Sequence, residues 1–208
     1  ELGFMNGLIE AVKSFIMAPA KTYEETRESG DMGSPLLFAV ILATATALVA
    51  QIWSLLFGAS LLSALPLPPE AQEAFGWMVA TGGFSLVTAL IVTPIFTVIG
   101  MFIWSGILHL MLLLVGGLQE SSAGYEGSLR VVAYAQVASL AQIVPVIGGM
   151  ISLIWGLFML VIGITRLHGT TDGKAIAAVL LPVVLCCVCI IGAFTLGIGA
   201  ALMGAANN

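Results

Sequence analysis

Two polar side chains interrupt apolar stretches of the chain, and they are the first candidates for chemistry. His109 is the one titratable residue well inside such a stretch, and Gln51 interrupts another. Ionisable groups within a membrane are costly and are functional-site candidates by default, here for a ligand site or a proton relay. A neutral, hydrogen-bonded histidine near a helix end is less costly, however, and a single amide commonly bonds an adjacent helix. For each of the two residues, a functional role and a purely structural hydrogen bond both remain open.

A second group of candidates gathers near the ends of the later apolar segments. Arg130 and Tyr134 are four residues apart and so share one face of a helix. With Arg166, His168 and Lys174 they form a predicted basic cluster for anionic lipid headgroups, a phosphate-bearing ligand or a protein partner. Asp31 precedes the first apolar segment, where a negative charge favours the start of a helix. Candidates for headgroup or partner contact are Asp31, Arg130, Tyr134, Arg166, His168 and Lys174.

The sequence offers no pattern of a catalytic or metal centre. Cys186, Cys187 and Cys189 share one apolar run without a histidine or carboxylate beside them, whereas a structural zinc site needs four ligands. A hydrolase triad would need a nucleophile and an acid placed beside His109, and neither is evident. The segment Gly169–Lys174 has the wrong spacing for a P-loop. We therefore predict a protein that is not an enzyme and that uses no cofactor or metal.

Composition places the chain in the membrane class. Of 208 residues, 60% are hydrophobic and 8% are charged, and the mean hydropathy is +1.12. Soluble domains carry about 25% charged residues. Several apolar runs reach the roughly 20 residues that a helix needs to cross a bilayer, which predicts an all-α, polytopic membrane protein. The net charge of −5 says nothing about nucleic acid, whose binding would require a basic patch, and we expect no nucleic-acid partner.

The predicted elements are an amphipathic helix and five membrane segments. Residues 1–33 combine that helix, over Leu2–Ala18, with a polar segment; the helix would lie in the membrane interface or dock a soluble partner. Residues 34–208 form the membrane domain, in which Ser34 would cap the first helix and Pro35 would begin it. The segment 129–144 is short, so either a full crossing or a re-entrant path is open. The predicted segments are 35–62, 77–117, 129–144, 150–167 and 174–203.

The topology depends on the long stretch Trp77–Gly117. It is about twice the length of one crossing, so it is either one long helix, with Pro94 as a place to bend, or two short helices. Lysine and arginine near membrane ends prefer the cytoplasmic side. One crossing places all six basic residues on the side of the N-terminus, whereas two crossings place three on each side. We predict five passes with the N-terminus cytoplasmic and the C-terminus outside.

Small residues predict where the helices approach closely. Lipid removes the usual hydrophobic drive between helices, so packing through small side chains takes its place. Gly149, Gly156 and Gly163 recur every seven residues along the fourth segment. They predict a groove within the bundle or between copies in a homo-oligomer.

Several short patterns, in order, resemble those of the Yip family, the five-pass Ypt/Rab-interacting membrane proteins, in its compact bacterial form. Asp31-Met32-Gly33-Ser34-Pro35 is similar to the Asp-Leu-x-Gly-Pro motif before the first helix, with Met for Leu and Ser for Gly. Further along the chain, residues 129–135 resemble the tyrosine-containing segment of the family, and residues 143–148 resemble the part with a proline that follows it. The matching pairs are His109-Leu110, Gly116-Gly117, His168-Gly169 and Lys174-Ala175.

The resemblance implies a cytosolic N-terminus and five membrane helices, and a bacterial or archaeal cytoplasmic membrane as the location. Eukaryotic members act in vesicle traffic and bind prenylated Rab GTPases, but the long cytosolic N-terminal region of those members is missing here. We expect a membrane-organising or trafficking-like scaffold that contacts lipids, and a cytoplasmic protein partner where one exists. The alternative is a transporter or lipid-handling protein, with Pro94, His109 and Gln51 lining a cavity in the bundle.

Overall fold

The computed structural model describes residues 3–26, 31–64, 66, 68–69, 71–73, 76, 86–119 and 121–206. Within these ranges all regular structure is helical. The helices are α1 (Phe4–Met17), α2 (Pro19–Thr26), α3 (Gly33–Ala64), α4 (Leu86–Leu114), α5 (Gly124–Ala135), a 3-10 segment (Gln136–Ile143), α6 (Gly148–His168) and α7 (Asp172–Ala206).

Four of these helices are long and apolar enough to cross a membrane. Their candidate spans are Gly33–Ser60, Ala89–Leu114, Gly148–His168 and Asp172–Gly192. Helix α4 passes through Pro94 without interruption, so the described part of the long central stretch is one helix. The predicted beginning of that stretch at Trp77 lies outside the described residues.

The third predicted membrane segment has two parts. Helix α5 begins at Gly124, five residues before the expected start at residue 129, and the 3-10 segment follows it at the next residue. A 3-10 helix rises about 2.0 Å per residue and an α-helix about 1.5 Å, so 12 and 8 residues in line reach about 34 Å. The 3-10 geometry therefore adds about 4 Å to the roughly 30 Å that the same 20 residues would span as an α-helix.

Helix α3 runs alongside α5 and the 3-10 segment in the same direction. The ring of Phe38 meets that of Tyr134, with centroids 5.4 Å apart. Further along, the Thr46 hydroxyl lies 3.4 Å from Ser139 Oγ, and Trp53 Nε1 donates to the Ile143 carbonyl at 3.1 Å. Residue numbers therefore increase together on both elements, and α6 then returns in the opposite direction after a turn.

That turn depends on a glycine. A Cβ built on Gly148 would lie 2.3 Å from the Ala141 carbonyl oxygen, so a larger residue would force the backbone apart. Beside it, Val146 has a φ of 68°, a left-handed conformation that is strained for a β-branched residue.

The opposite end of the bundle is where α3, α5 and α7 begin and where α4 and α6 end; we call it the hairpin end because α1 and α2 pack there. Helix α4 ends in a Schellman motif, with Gly117 N donating to the Leu112 carbonyl at 2.7 Å and Gly116 N to Leu113 at 3.1 Å. The motif requires a left-handed residue, and Gly116 supplies it with a φ of 67°. Gly169, with a φ of 65°, ends α6 in the same conformation.

Helix α3 begins with a carboxylate cap. Asp31 Oδ1 accepts a hydrogen bond from Gly33 N at 2.9 Å, and Asp31 Oδ2 accepts from Ser34 N at 3.0 Å and from the Ser34 hydroxyl. The expectation that Ser34 caps this helix is wrong, because Ser34 is already helical and gives its hydroxyl proton to the true cap. An ionised acceptor forms stronger bonds to the free N–H groups than a hydroxyl does.

The tightest packing of the bundle lies toward the hairpin end. Leu108 and Leu112 of α4, Val131 of α5 and Ile164 of α6 are almost completely buried there. Away from it the helices expose large apolar side chains, among them Leu55, Phe96 and Val188. Those surfaces suit hydrocarbon rather than water.

Candidate functional site

Four aromatic rings fasten the α1–α2 hairpin to the bundle. The ring of Phe15 stacks on Tyr134 with centroids 4.5 Å apart and meets the edge of Tyr23 at 5.0 Å and the tilted ring of Phe38 at 5.9 Å. We call Phe15, Tyr23, Phe38 and Tyr134 the aromatic cluster. Separations of about 4.5–7 Å in offset or edge arrangements are those at which aromatic rings attract each other. The cluster joins α1, α2, α3 and α5 at one point.

Helix α2 approaches the bundle closely where α6 has a glycine. A Cβ at Gly163 would lie 2.8 Å from Val131 Cγ1 and 2.9 Å from Tyr23 Cζ. The Tyr23 hydroxyl donates to the Val131 carbonyl at 3.4 Å. Burial raises the pKa of Tyr23 well above its ordinary value, and the neighbouring Tyr134 adds to the shift, so the phenol stays neutral.

The three glycines spaced along α6 have different surroundings. Gly163 packs against α2 and α5, Gly156 faces Ala138 at 3.7 Å, and Gly149 has no such neighbour within 4 Å. Part of the predicted groove therefore lies within the bundle.

Two arginines hold the C-terminal part of the hairpin. Arg130 is 4% exposed, and its Nη1 donates to the Thr26 carbonyl at 3.0 Å. Arg166 lies at the surface and pairs with Glu24 at 2.9 Å. Because the carbonyl at the end of α2 attracts positive charge, the buried guanidinium both satisfies that carbonyl and fixes the end of the helix.

A chain of hydrogen bonds joins α4, α5 and α6 through two histidines. Ser128 Oγ lies 2.9 Å from His109 Nδ1 and 3.1 Å from His168 Nε2, and Ser121 Oγ lies 2.8 Å from His168 Nδ1. We call these four residues the His–Ser chain. A hydroxyl has one proton and two lone pairs, so Ser128 can donate to at most one of the two rings and accepts from any ring to which it does not donate.

The His–Ser chain resembles a serine–base pair in its distances, but its location does not suit catalysis. Ser128 and His168 are both completely buried. A Cβ on Gly127 would lie 3.1 Å from His168 Cε1, so the α5 backbone closes that side of the ring. A nucleophile must reach a reacting atom about 3 Å away. The geometry suits a polar connection that fixes the ends of three helices.

Lys174 lies at a small polar hollow between two loops. Its Nζ donates to the Gly116 carbonyl at 2.8 Å. The hollow has a volume of about 70 Å³. Gly116, Gly117, Gln119, Gly169, Thr170, Thr171 and Lys174 line it.

Asp31 is exposed, and its hydrogen bonds explain its charge state. Hydrogen bonds from the Ser34 hydroxyl and from the Gly33 and Ser34 amides lower the pKa of Asp31 below its ordinary value, and the positive charge of Arg130 adds a smaller effect. Asp31 therefore remains ionised while it caps α3.

The structure brings most of the predicted site residues to the hairpin end but divides them by role. Arg130, Tyr134 and His168 are buried and hold helices together, whereas Asp31, Arg166 and Lys174 reach the surface or the hollow. His109 joins His168 through Ser128 rather than standing apart as an intramembrane group. Gln51 lies on α3, half-buried, away from both.

A groove at membrane depth has a different lining from the one expected. Its volume is about 340 Å³, and Pro94, His109 and Gln51 are not among its walls. Its polar residues are Gln136, Ser139, Gln142 and Ser152, which we did not identify from the sequence. Gln136, Ser139 and Gln142 are three residues apart in the sequence, and this spacing was the available signal, because residues three apart lie on one face of a 3-10 helix.

Comparison with known proteins identifies a family. The Yip1 domain matches residues 13–194, which includes α2 through most of α7. No curated protein and no solved structure gives a significant match. With its apolar helices, the match indicates an integral membrane protein. The chain therefore belongs to the Yip1 domain family.

Proposed function

We propose that this protein is a non-enzymatic, membrane-organising scaffold that contacts lipid, or a protein partner, at its cytoplasmic face. The observation that carries the proposal is the position of α1, which the aromatic cluster fastens beside the bundle with a second apolar face left open. A helix held in this way would act as a fixed amphipathic wedge in the membrane interface.

Three faces of α1 support this role. Residues advance about 100° per position around a helix, so the middle of α1 divides into three sectors, to which the end residues Phe4 and Met17 are exceptions. Leu8, Ala11 and Phe15 face the bundle; Met5, Ile9 and Ile16 form an exposed apolar sector next to them. Asn6, Glu10 and Lys13 are exposed on the remaining side. A helix that lies in the interface beside a protein is expected to have this distribution of side chains, with one side toward the protein, one toward lipid and one toward water.

The distribution of positive charge supports five passes with the hairpin end in the cytoplasm. Arg130, Arg166 and Lys174 all contact groups at the hairpin end, and α1 and α2 carry Lys13 and Lys21 there. Lysine and arginine collect on the cytoplasmic side of membrane proteins. Helix α5 and the 3-10 segment together reach about 34 Å, which is long enough to cross a core of about 30 Å and so to add one crossing to the four long helices.

Accessible groups at the hairpin end are the ones that would meet a partner. Arg166 is half-exposed, and Lys174 has two ammonium donors beyond the one given to Gly116. Arg130 and His168 would contribute indirectly by holding the hairpin and the helix ends in place. Anionic lipid headgroups, attracted by such lysines and arginines, are the simplest partners.

The experiment measures vesicle shape. Wild-type protein reconstituted into large liposomes should reduce vesicle diameter in electron cryomicroscopy, because the wedge expands one leaflet. Ile9→Asp places a charge in the apolar sector and should abolish the effect, whereas Lys13→Gln, in the polar sector, should retain it. Equal diameters for wild type and Ile9→Asp would contradict the proposal.

A labelling experiment tests the orientation. In protein whose three cysteines are replaced by serine, a single cysteine at Thr171 should react with a membrane-impermeant probe from the same side as a cysteine at Glu10. Reaction of the two positions from opposite sides would contradict five passes.

A further inference from the structure

Three polar side chains form one row along the 3-10 segment at membrane depth. Gln136, Ser139 and Gln142 are spaced by three, and a 3-10 helix has three residues per turn, so they lie above one another. In an α-helix each step would rotate the side chain by about 60°, and the row would spread over about 120°. The local change in helix type thus creates a polar row that the same residues would not form in an α-helix.

The polar row forms one wall of the 340 Å³ groove between α4, α6, α7 and the 3-10 segment. Trp104, Leu153, Leu157, Gly156 and Val183 form apolar walls around it. Helical rise places Trp104 about 15 Å from the end of α4, near the middle of a bilayer core of about 30 Å. A cavity that is mostly apolar with a few convergent polar groups is the usual form of a small-ligand site.

The polar row is short of hydrogen bonds. The Gln136 amide makes none within the part of the chain that the structure describes, and neither does the indole N–H of Trp104. Gln142 Nε2 donates to Ser152 Oγ at 3.4 Å, and Ser139 Oγ accepts from Thr46 at 3.4 Å, both of them long. An amide facing hydrocarbon without a partner is unfavourable by several kcal/mol. A polar ligand in the groove would remove that cost.

We propose that this groove binds an uncharged single-chain lipid whose head carries hydroxyl or amide groups, of the monoacylglycerol class. No charged side chain is among its described lining residues, so an anionic or cationic head would have no counter-ion there. A volume of 340 Å³ holds about eleven water-sized groups, enough for a head and the first part of one chain. The head would bond the two glutamines and Ser139, and the chain would leave through the open side into the bilayer. This site is separate from the hairpin end and does not depend on the role proposed for α1.

Photolabelling tests the site. Protein in nanodiscs would be treated with a diazirine-bearing monoacylglycerol, with an alkane diazirine of equal chain length as the comparison probe. We expect the monoacylglycerol to label the α6 peptide that contains Ser152 and Gly156, and unlabelled monoacylglycerol to compete. Gln136→Leu/Gln142→Leu removes at least two hydrogen bonds and should reduce labelling by at least about tenfold. Gln51→Leu removes an intramembrane glutamine outside the groove and should leave labelling unchanged.

A second variant keeps the test independent of folding defects. Gly156→Leu fills the groove from the α6 side, where a Cβ has only Ala138 near it at 3.7 Å, and should also abolish labelling while both glutamines remain. Equal labelling by the two probes, or full labelling of the double leucine variant or of Gly156→Leu, would overturn the proposal.

Discussion

Replacing Phe15 by alanine should weaken the docking of the α1–α2 hairpin on the bundle without unfolding the membrane helices. Phe15 is 1% exposed and contacts three aromatic rings, at 4.5, 5.0 and 5.9 Å between centroids. In a released hairpin the side chain would enter lipid rather than water, so the usual hydrophobic term for a buried phenylalanine largely disappears. What is lost is the attraction between the rings.

Two of these ring pairs, those with Phe38 and Tyr134, join the hairpin to the bundle, whereas the pair with Tyr23 lies within the hairpin. Each pair contributes about 0.5–1.5 kcal/mol beyond buried area, so loss of the two weakens docking by about 2 kcal/mol, or roughly 30-fold in the docking equilibrium. Hydrogen exchange of the protein in nanodiscs, followed by mass spectrometry, measures the opening. Amides of α2 that docking protects should exchange faster by up to that factor, whereas those of α6 should keep their rates.

The neighbouring residue provides a matched control. Ile16 is apolar and 44% exposed, and it belongs to the sector of α1 that we assign to lipid. Ile16→Ala should leave the exchange of α2 unchanged. If Phe15→Ala also leaves it unchanged, the aromatic cluster does not hold the hairpin and the reasoning about α1 is refuted.

Three further substitutions test the packing and capping of the bundle. Gly163→Ala should lower the melting temperature because its methyl group would overlap α2 and α5, whereas Gly149→Ala, with open space around it, should leave the melting temperature unchanged or raise it. Ser128→Ala removes the hydroxyl shared by two histidines and should destabilise the protein by about 1–3 kcal/mol in chemical denaturation, while Ser63→Ala, at an exposed serine, should have little effect. Asp31→Asn should lower the melting temperature at neutral pH. Because the folded pKa of Asp31 lies below the ordinary 3.8, the contribution of its charge is complete above that pH. This contribution is lost as pH falls through the folded pKa, so the difference in melting temperature between Asp31→Asn and wild type should narrow only at that low pH. A difference that already narrows near pH 6 would contradict the role of Asp31 as the cap of α3.

The candidate site was predictable in position but not in role. Charge placement predicted one basic cluster, and in the structure Arg130, Arg166 and Lys174 make their contacts at the hairpin end; Tyr134 lies one turn after Arg130 on α5. The sequence gives no measure of burial for a residue at the end of a membrane segment. Arg130 and His168 therefore looked like surface groups, although each is almost completely enclosed.

Composition and charge along the chain determined the class of protein and the approximate membrane segments, because both depend on sums over neighbouring residues, and short motifs in a fixed order indicated the family. The tertiary structure decided which side chains meet. The Tyr23 hydroxyl and the Val131 carbonyl are 108 residues apart in sequence, and Arg130 reaches Thr26 across 104. The change from α-helix to 3-10 helix begins at Gln136, in a segment that packs against α3 and α6, and the spacing of its polar residues was only a weak local signal for it. Contacts between distant residues thus decided the hairpin, the His–Ser chain and the polar groove.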